Sequence, residues 1–110
     1  DGIRDVIQVD PSPGMVTAAA ERARKVCKSK LNSEEYVCAL NDTARFVPDA
    51  SVDIILSCLS LHWANDLTGT LQHVRRALRP DGAFSGAMFC GDTLYELRTA
   101  LAIAEQEREG

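Results

Sequence analysis

Apolar and polar positions along the chain repeat with more than one spacing, and each spacing predicts an element. Ile3, Val6, Ile7 and Val9 form a short β-prone segment, which Asp10-Pro11-Ser12-Pro13-Gly14 stops. A helix over residues 13–27 follows. Ser12 supplies an N-cap, and Pro13 suits the first helical position, where its missing N–H has no intrahelical acceptor to lose. Met15, Ala19, Ala23 and Val26 or Cys27 then recur at helical spacing, with Glu21, Arg22, Arg24 and Lys25 on a wet face. The polar stretch 28–35 leads into a second strand, Tyr36-Val37-Cys38-Ala39-Leu40, and Asn41-Asp42-Thr43-Ala44 leaves it. Phe46-Val47-Pro48-Asp49 reads as an apolar anchor on a loop.

The third strand is the clearest. Val52-Asp53-Ile54-Ile55-Leu56-Ser57-Cys58-Leu59 is nearly continuous and rich in β-branched residues, the pattern of a strand covered on both faces. His62-Trp63-Ala64-Asn65-Asp66 forms a connection, with Asn65 or Asp66 capping a helix over about residues 66–78 that carries Leu67, Leu71, Val74 and Leu78. Arg79-Pro80-Asp81-Gly82 ends that helix: Pro80 disfavours α geometry at Arg79, and Gly82 accommodates a positive φ. Residues 83–89 are the fourth strand. Thr93 and Glu96 have capping-box spacing for a last helix bearing Leu94, Leu97, Leu101 and Ala104. Strand, helix, strand, strand, helix, strand, helix is an α/β pattern that favours a parallel sheet flanked by helices, and the loop after Leu40 has room for a small further helix. There is no internal repeat, and the turns punctuate one domain.

Composition narrows the class. The chain has 110 residues, 45% of them hydrophobic and 25% charged, with a net charge of -4. These values fit an ordinary globular domain and weigh against disorder and against a dedicated nucleic-acid binder, which needs a basic face for phosphates. Surface scaling lets such a chain bury about 65% of its extended area, an adequate but thin core. The four cysteines, Cys27, Cys38, Cys58 and Cys90, form no CxxC pair and read as small core or inert residues. No stretch is apolar enough to span a bilayer, and the start carries no secretory signal. A chain opening on Asp1-Gly2 without an initiator methionine reads as processed, or as a fragment.

In open α/β sheets, ligands bind beyond the carboxyl ends of the strands. Asp10 follows the first strand, Asn41-Asp42 the second, and residues 60–65 the third. The Asp10 carboxylate either receives the two hydroxyls of a ribose or caps the following turn. Asp42 either accepts from an adenine amino group or closes an Asx-turn. Met15 either lies against an adenine ring or packs in the core. His62 and Trp63 offer an imidazole and an indole, which either face a substrate or serve structure. His73 lies inside a helical pattern and reads as structural or solvated. No GxSxG elbow, GxxxxGK[ST] loop or GxGxxG fingerprint occurs, and the eleven-residue separation of His62 and His73 is no metal signature.

The run VDIILSCLSLHWANDLTGTLQHVRRALRPDGAFSGAMF resembles the later half of class I S-adenosylmethionine-dependent methyltransferases, and DPSPGM resembles the end of their second strand. SLSLHWANDL together with GAMFCGDTLYEL is similar to the mitochondrial protein-arginine hydroxylases that assist assembly of respiratory complex I; the malonyl-carrier-protein methyltransferases of the biotin pathway are similar too. The resemblance covers essentially the whole chain. It implies an incomplete Rossmann-like class I methyltransferase fold, in which the glycine-rich cofactor loop, the central first strand and the distal C-terminal strands fall outside these residues.

The resemblance also implies roles. Asp10 matches the ribose-binding acid, Met15 the adenine-facing residue, and Asp42 the adenine-side acid, with Thr43 supplying nearby backbone. Leu59 and Ser60 match the strand end that opens onto the methionine moiety, and His62 and Trp63 border the substrate side. S-adenosylmethionine is the implied cofactor of the intact protein, with weak or no binding to these residues alone. The implied partner is a complex I subunit or assembly intermediate, in mitochondria on the matrix side, with neither nucleic acid nor a membrane span. A homo-oligomer through the incomplete sheet is a further expectation. The resemblance leaves three activities open: arginine hydroxylation, methyl transfer to a small molecule or carrier protein, and nonenzymatic assembly.

Overall fold

The computed structural model describes residues 3–27, 32–37 and 46–109. The elements are β1 (Asp5–Asp10), α1 (Pro13–Cys27), β2 (Asn32–Val37), β3 (Val52–Cys58), a 3-10 turn (Leu61–Trp63), α2 (Leu67–Ala77), β4 (Leu78–Ala87) and α3 (Tyr95–Glu109). β1 pairs with β2 and β3 with β4, both parallel, in two separate two-stranded sheets. Parallel neighbours require a crossover, and α1 and α2 provide it, so the chain is two βαβ units followed by a helix. The α/β reading holds, but the strands do not join into one sheet. Among the described residues, each of the four strands leaves one edge without a strand partner.

The first unit shows where pairing overrides pattern. β2 lies at Asn32–Val37, beginning four residues before the apolar run that predicted it. The ladder runs from Asp5 opposite Asn32 to Asp10 opposite Val37. Polar side chains follow it: Asn32 Nδ2 donates to Asp5 Oδ1 at 2.7 Å, and Gln8 Nε2 to Ser33 Oγ at 3.0 Å. Backbone partners therefore fix the strand, not hydrophobicity. Residues 38–45, and with them the expected strand end and any small helix after Leu40, lie outside the described residues.

α1 spans the expected range, and Ser12 accepts the Val16 N–H at its carbonyl and, at a long 3.5 Å, the Met15 N–H at its hydroxyl. The buried stripe is rotated one position from the predicted one. Val16 and Ala20 are buried with Ala19 and Ala23 beside them, while Met15 and Val26 are exposed. Contact with β1 and β2 sets that rotation.

In the second unit Asp66 caps α2, its Oδ1 accepting the Gly69 N–H at 2.9 Å. Here too the stripe differs. Thr70 and Ala77 are buried, whereas Leu71 is exposed, because small residues let the helix approach β4 closely. Thr70 satisfies its hydroxyl on the Asp66 carbonyl at 2.7 Å. At the other end, Ala50 N–H and Ser51 N–H donate to the carbonyls of Arg76 and Ala77, which a helix terminus otherwise leaves unpaired.

The Arg79-Pro80-Asp81-Gly82 segment is part of β4 rather than a free turn. The register passes from Val52 opposite Leu78 to Ile54 opposite Ala83, so these residues bulge out of the ladder. The positive φ falls on Asp81, at 65°, and not on Gly82. Gly82 is required for a different reason: a Cβ there would stand 2.9 Å from the Arg79 carbonyl oxygen and 3.1 Å from that of Asp53. Arg79 Nη1 closes the bulge on Asp53, at 2.9 and 3.1 Å to its two carboxylate oxygens.

α3 begins at Tyr95, two residues after the expected cap. Thr93 Oγ1 accepts the Cys90 N–H at 3.1 Å, so the hydroxyl is turned back toward the preceding loop, and no capping box forms. Leu94, Leu97 and Leu101 are exposed along this helix. β3, expected to be covered on both faces, has Ile54 63% and Leu56 77% exposed. The cysteines Cys58 and Cys90 are free and exposed, not core residues. The total accessible area is 8838 Å2, against roughly 6,000 Å2 for a compact monomer of this mass. The radius of gyration is 18.3 Å, where about 13 Å suits a compact domain of this length. No helix among the described residues is long and apolar enough to cross a membrane.

Gly82→Ala forces backbone atoms of two segments apart and is expected to destabilise the protein by about 1 to 3 kcal/mol. A lower urea midpoint with an unchanged slope is the expected reading.

Candidate functional site

Asp10 ends β1 and Cys58 ends β3, and the space between these two carboxyl ends is a cavity of about 420 Å3. Its walls are Asp10, Pro11, Met15, Cys58, Leu59, Ser60 and Trp63. The volume lies within the range of small-molecule sites. Of the residues singled out in the sequence, Asp10, Met15, Leu59, Ser60 and Trp63 meet here, and His62 stands next to Trp63. Asp42 and Thr43 lie outside the described residues. Pro11 and Cys58 went unselected, although Cys58 sits at a strand carboxyl end and was open to the same rule.

Asp10 performs the bland role without being used up by it. Its Oδ1 accepts the Ser12 N–H at 2.8 Å, closing the turn into α1. Its other oxygen has capacity for a ligand, since a carboxylate accepts several hydrogen bonds. The same turn aims Met15 away from the buried stripe of α1 and onto the cavity wall, with 59% of its surface exposed. The core alternative for Met15 is thereby removed.

The opposite wall depends on a strained residue. Leu59 has φ 50°, a left-handed conformation that disfavours any side chain with a Cβ. It is held there by its N–H, which donates to the Ala87 carbonyl of β4 at 2.8 Å. That reversal throws the chain into the 3-10 turn, where Trp63 N–H donates to Ser60 O at 3.0 Å and Ala64 N–H to Leu61 O at 3.1 Å. Leu61 is buried and anchors the turn, leaving Trp63 77% exposed. Backbone strain of this kind costs about 1 to 3 kcal/mol and gathers at functional sites.

His62 lies between two aromatic rings. Its centroid is 5.4 Å from that of Trp63 and 4.6 Å from that of Phe89, at interplanar angles of 42° and 50°. Its Nδ1 is buried without a hydrogen-bond partner among the described residues, as is that of His73 on α2. Phe89, two residues past the end of β4, was not picked out from the sequence; its place beyond a strand carboxyl end was the available signal.

Next along this loop is Cys90. The backbone N–H of Asp92 and then the Thr93 hydroxyl donate to its sulfur, and together they hold the thiol below its ordinary range despite a small opposing desolvation.

A family profile described as "Methyltransferase domain" matches residues 1–85. The mitochondrial arginine-hydroxylase NDUFAF5 of Rattus norvegicus is 57% identical over 63 residues, covering 57% of this chain and 18% of the relative. The Homo sapiens protein of the same name is 44% identical over 93 residues, covering 83% of this chain and 27% of its own length. A malonyl-[acyl-carrier protein] O-methyltransferase from Halorhodospira halophila is 35% identical over 105 residues, covering 94% of this chain and 34% of that protein. Among solved structures, the YcgJ protein from Bacillus subtilis superposes with a TM-score of 0.60 at 26% identity, covering 74% of this chain and 33% of that one. The chain thus spans between about a fifth and a third of the length of the relatives it matches.

Because Cys90 is held below the usual thiol range, its alkylation by iodoacetamide is expected to reach half-maximal rate at a lower pH than a free cysteine. Thr93→Ala raises that pH toward the free value. Site-resolved mass spectrometry across a pH series separates Cys90 from the other three cysteines.

Proposed function

Because this chain belongs to the methyltransferase domain family, we propose that the cavity between β1 and β3 is part of an S-adenosylmethionine site and that the full-length protein modifies arginine in a protein partner. The single observation carrying this reading is the convergence of Asp10, Met15, Leu59 and Ser60 on one cavity of about 420 Å3. The residues fit the cofactor's nucleoside side: a carboxylate with a free oxygen for ribose hydroxyls, and a polarizable Met15 surface for a flat base. Leu59 and Ser60 border the methionine end, and Asp42 and Thr43 complete the adenine side. When bound, S-adenosylmethionine supplies an electrophilic methyl group on a sulfonium centre. What these side chains contribute is orientation and exclusion of water, the part of catalysis that comes from alignment.

The 110 residues are, on this reading, part of one longer methyltransferase-like domain. Its remaining chain supplies the glycine-rich loop, the strand between β1 and β3, and further strands beyond α3. The exposed faces of Ile54 and Leu56, and the edges of β1 and β3 left unpaired among the described residues, support that reading. The mitochondrial arginine-hydroxylases among its relatives favour arginine as substrate and the mitochondrion as location; the resemblance carried by SLSLHWANDL and GAMFCGDTLYEL adds the matrix side and a complex I subunit or assembly intermediate as the protein partner. A second reading has one observation in its favour: the carrier-protein O-methyltransferase aligns across 94% of this chain, more than the hydroxylases from rat or human. On that reading His62 and Trp63 border a carrier-protein substrate. In neither reading is a catalytic residue assigned; His62 and Trp63 are the substrate-side candidates.

Incubating the full-length protein with a complex I subcomplex and reading product masses decides between the activities. Gain of one oxygen on arginine supports hydroxylation, gain of a methyl group supports transfer, and assembly without either marks a nonenzymatic factor. Asp10→Ala in the full-length protein is expected to weaken S-adenosylmethionine binding by about 1 to 3 kcal/mol, or about 5- to 150-fold. Calorimetry showing unchanged affinity in a folded variant removes Asp10 from the ribose site.

The 110-residue chain alone is expected to bind S-adenosylmethionine weakly or not at all, and to associate as concentration rises, because a second copy can supply pairing for the open strand edges. Sedimentation velocity over a wide concentration range checks this. A concentration-independent monomer that binds the cofactor like the full-length protein overturns it.

A further inference from the structure

Trp63 is the chain's single tryptophan, and it stands 77% exposed on the cavity rim. Phe89 is 51% exposed, and His62 joins the two through ring contacts of 5.4 and 4.6 Å. Three rings from two different strand ends thus form one π surface, continuous with the wall of the cavity. The buried Leu61 and the strained Leu59 fix one side of it, and the end of β4 fixes the other.

Ring faces are electronegative and attract cations, and a guanidinium suits them better than an ammonium because it is planar and weakly hydrated. The chain carries a net charge of -4, which favours a basic partner. The loop beyond Phe89 already receives a guanidinium: Arg98 Nη2 donates to the Gly91 carbonyl at 2.6 Å.

We propose that Trp63 and Phe89, bridged by His62, form the surface on which the guanidinium of a substrate arginine stacks, so that these rings set the specificity of the site. The inference rests on the reading of the full-length protein as an arginine-modifying enzyme and deepens it by naming the residues that hold the substrate. Trp63 both lines the cavity and neighbours the His62 ring. Phe89 is the discriminating element, because it touches His62 and does not line the cavity.

The test uses the full-length protein and three versions of one substrate peptide, carrying arginine, lysine or citrulline at the modified position. Citrulline keeps the planar shape and removes the charge. Trp63→Leu and Phe89→Leu keep apolar bulk and remove the π face; Trp63→Phe restores one. The expected result is an arginine-peptide Kd and KM raised about 3- to 30-fold in each leucine variant with kcat little changed. Binding of the citrulline peptide stays weak and unaltered, Trp63→Phe recovers most of the loss, and S-adenosylmethionine affinity is unchanged in Phe89→Leu. Arginine modification that proceeds with unchanged KM in both leucine variants overturns the stacking surface and leaves the arginine reading standing. Wild-type protein that binds all three peptides equally, or none of them, overturns the stacking surface, and the product masses then show separately whether arginine is modified at all. Quenching of tryptophan fluorescence by the arginine peptide that is lost in Trp63→Leu, and is not produced by the citrulline peptide, is the direct optical sign of contact.

Discussion

A parallel strand inside a sheet must find backbone partners on both edges, and that requirement governs what these residues form. β1 has β2 on one side, and β3 has β4; the facing edges have no strand among the described residues. Each pair is closed by its own crossover helix, so each βαβ unit satisfies itself locally. What joins the two units is another matter. The shape is extended, with a radius of gyration of 18.3 Å, and Ile54 and Leu56 of β3 are exposed. The cavity lies at the carboxyl ends of β1 and β3, where Asp10 and Cys58 border it.

Small geometric commitments then convert the gap into a site. The Asp10 turn bond starts α1 and turns Met15 outward, while the Leu59 bond to Ala87 holds a left-handed residue that sends the chain into the 3-10 turn. Strain at Leu59 is offset by backbone hydrogen bonding and by burial of Leu61, and the turn presents a half-buried His62 beside an exposed Trp63. Phe89 reaches the same place from β4, two residues after the ladder ends. The aromatic group therefore depends on the register of β3 against β4, and so on Gly82, whose missing Cβ lets the bulge close against Asp53.

Much of this was legible in the residues themselves. The 13–27 helix, the Asp66 cap, the α/β order and the parallel strands follow from capping chemistry and periodicity, which act over a few neighbours. Asp10, Met15, Leu59, Ser60 and Trp63 were found because ligand sites lie beyond strand carboxyl ends and because those positions resemble a known family's; their convergence on one cavity is the structure's contribution. Asp42 and Thr43 lie outside the described residues, so their placement adds nothing to that convergence.

What only the tertiary structure decided were properties that depend on distant partners. β2 begins at Asn32 because β1 offers it hydrogen bonds, a cause invisible in a polar stretch. The buried stripes of α1 and α2 are each rotated from the predicted ones, since the packed face is chosen by the neighbouring sheet and by how close small residues allow it. The positive φ moved from Gly82 to Asp81, and Thr93 turned from a helix cap to the Cys90 amide, because local propensity yields where backbone pairing elsewhere is stronger. The sequence by itself determined the elements, their order and the carboxyl ends of β1 and β3. The pairing of strands, the open edge between the two units and the meeting of Phe89 with His62 were decided by long-range hydrogen bonding and register, which no local pattern of side chains encodes.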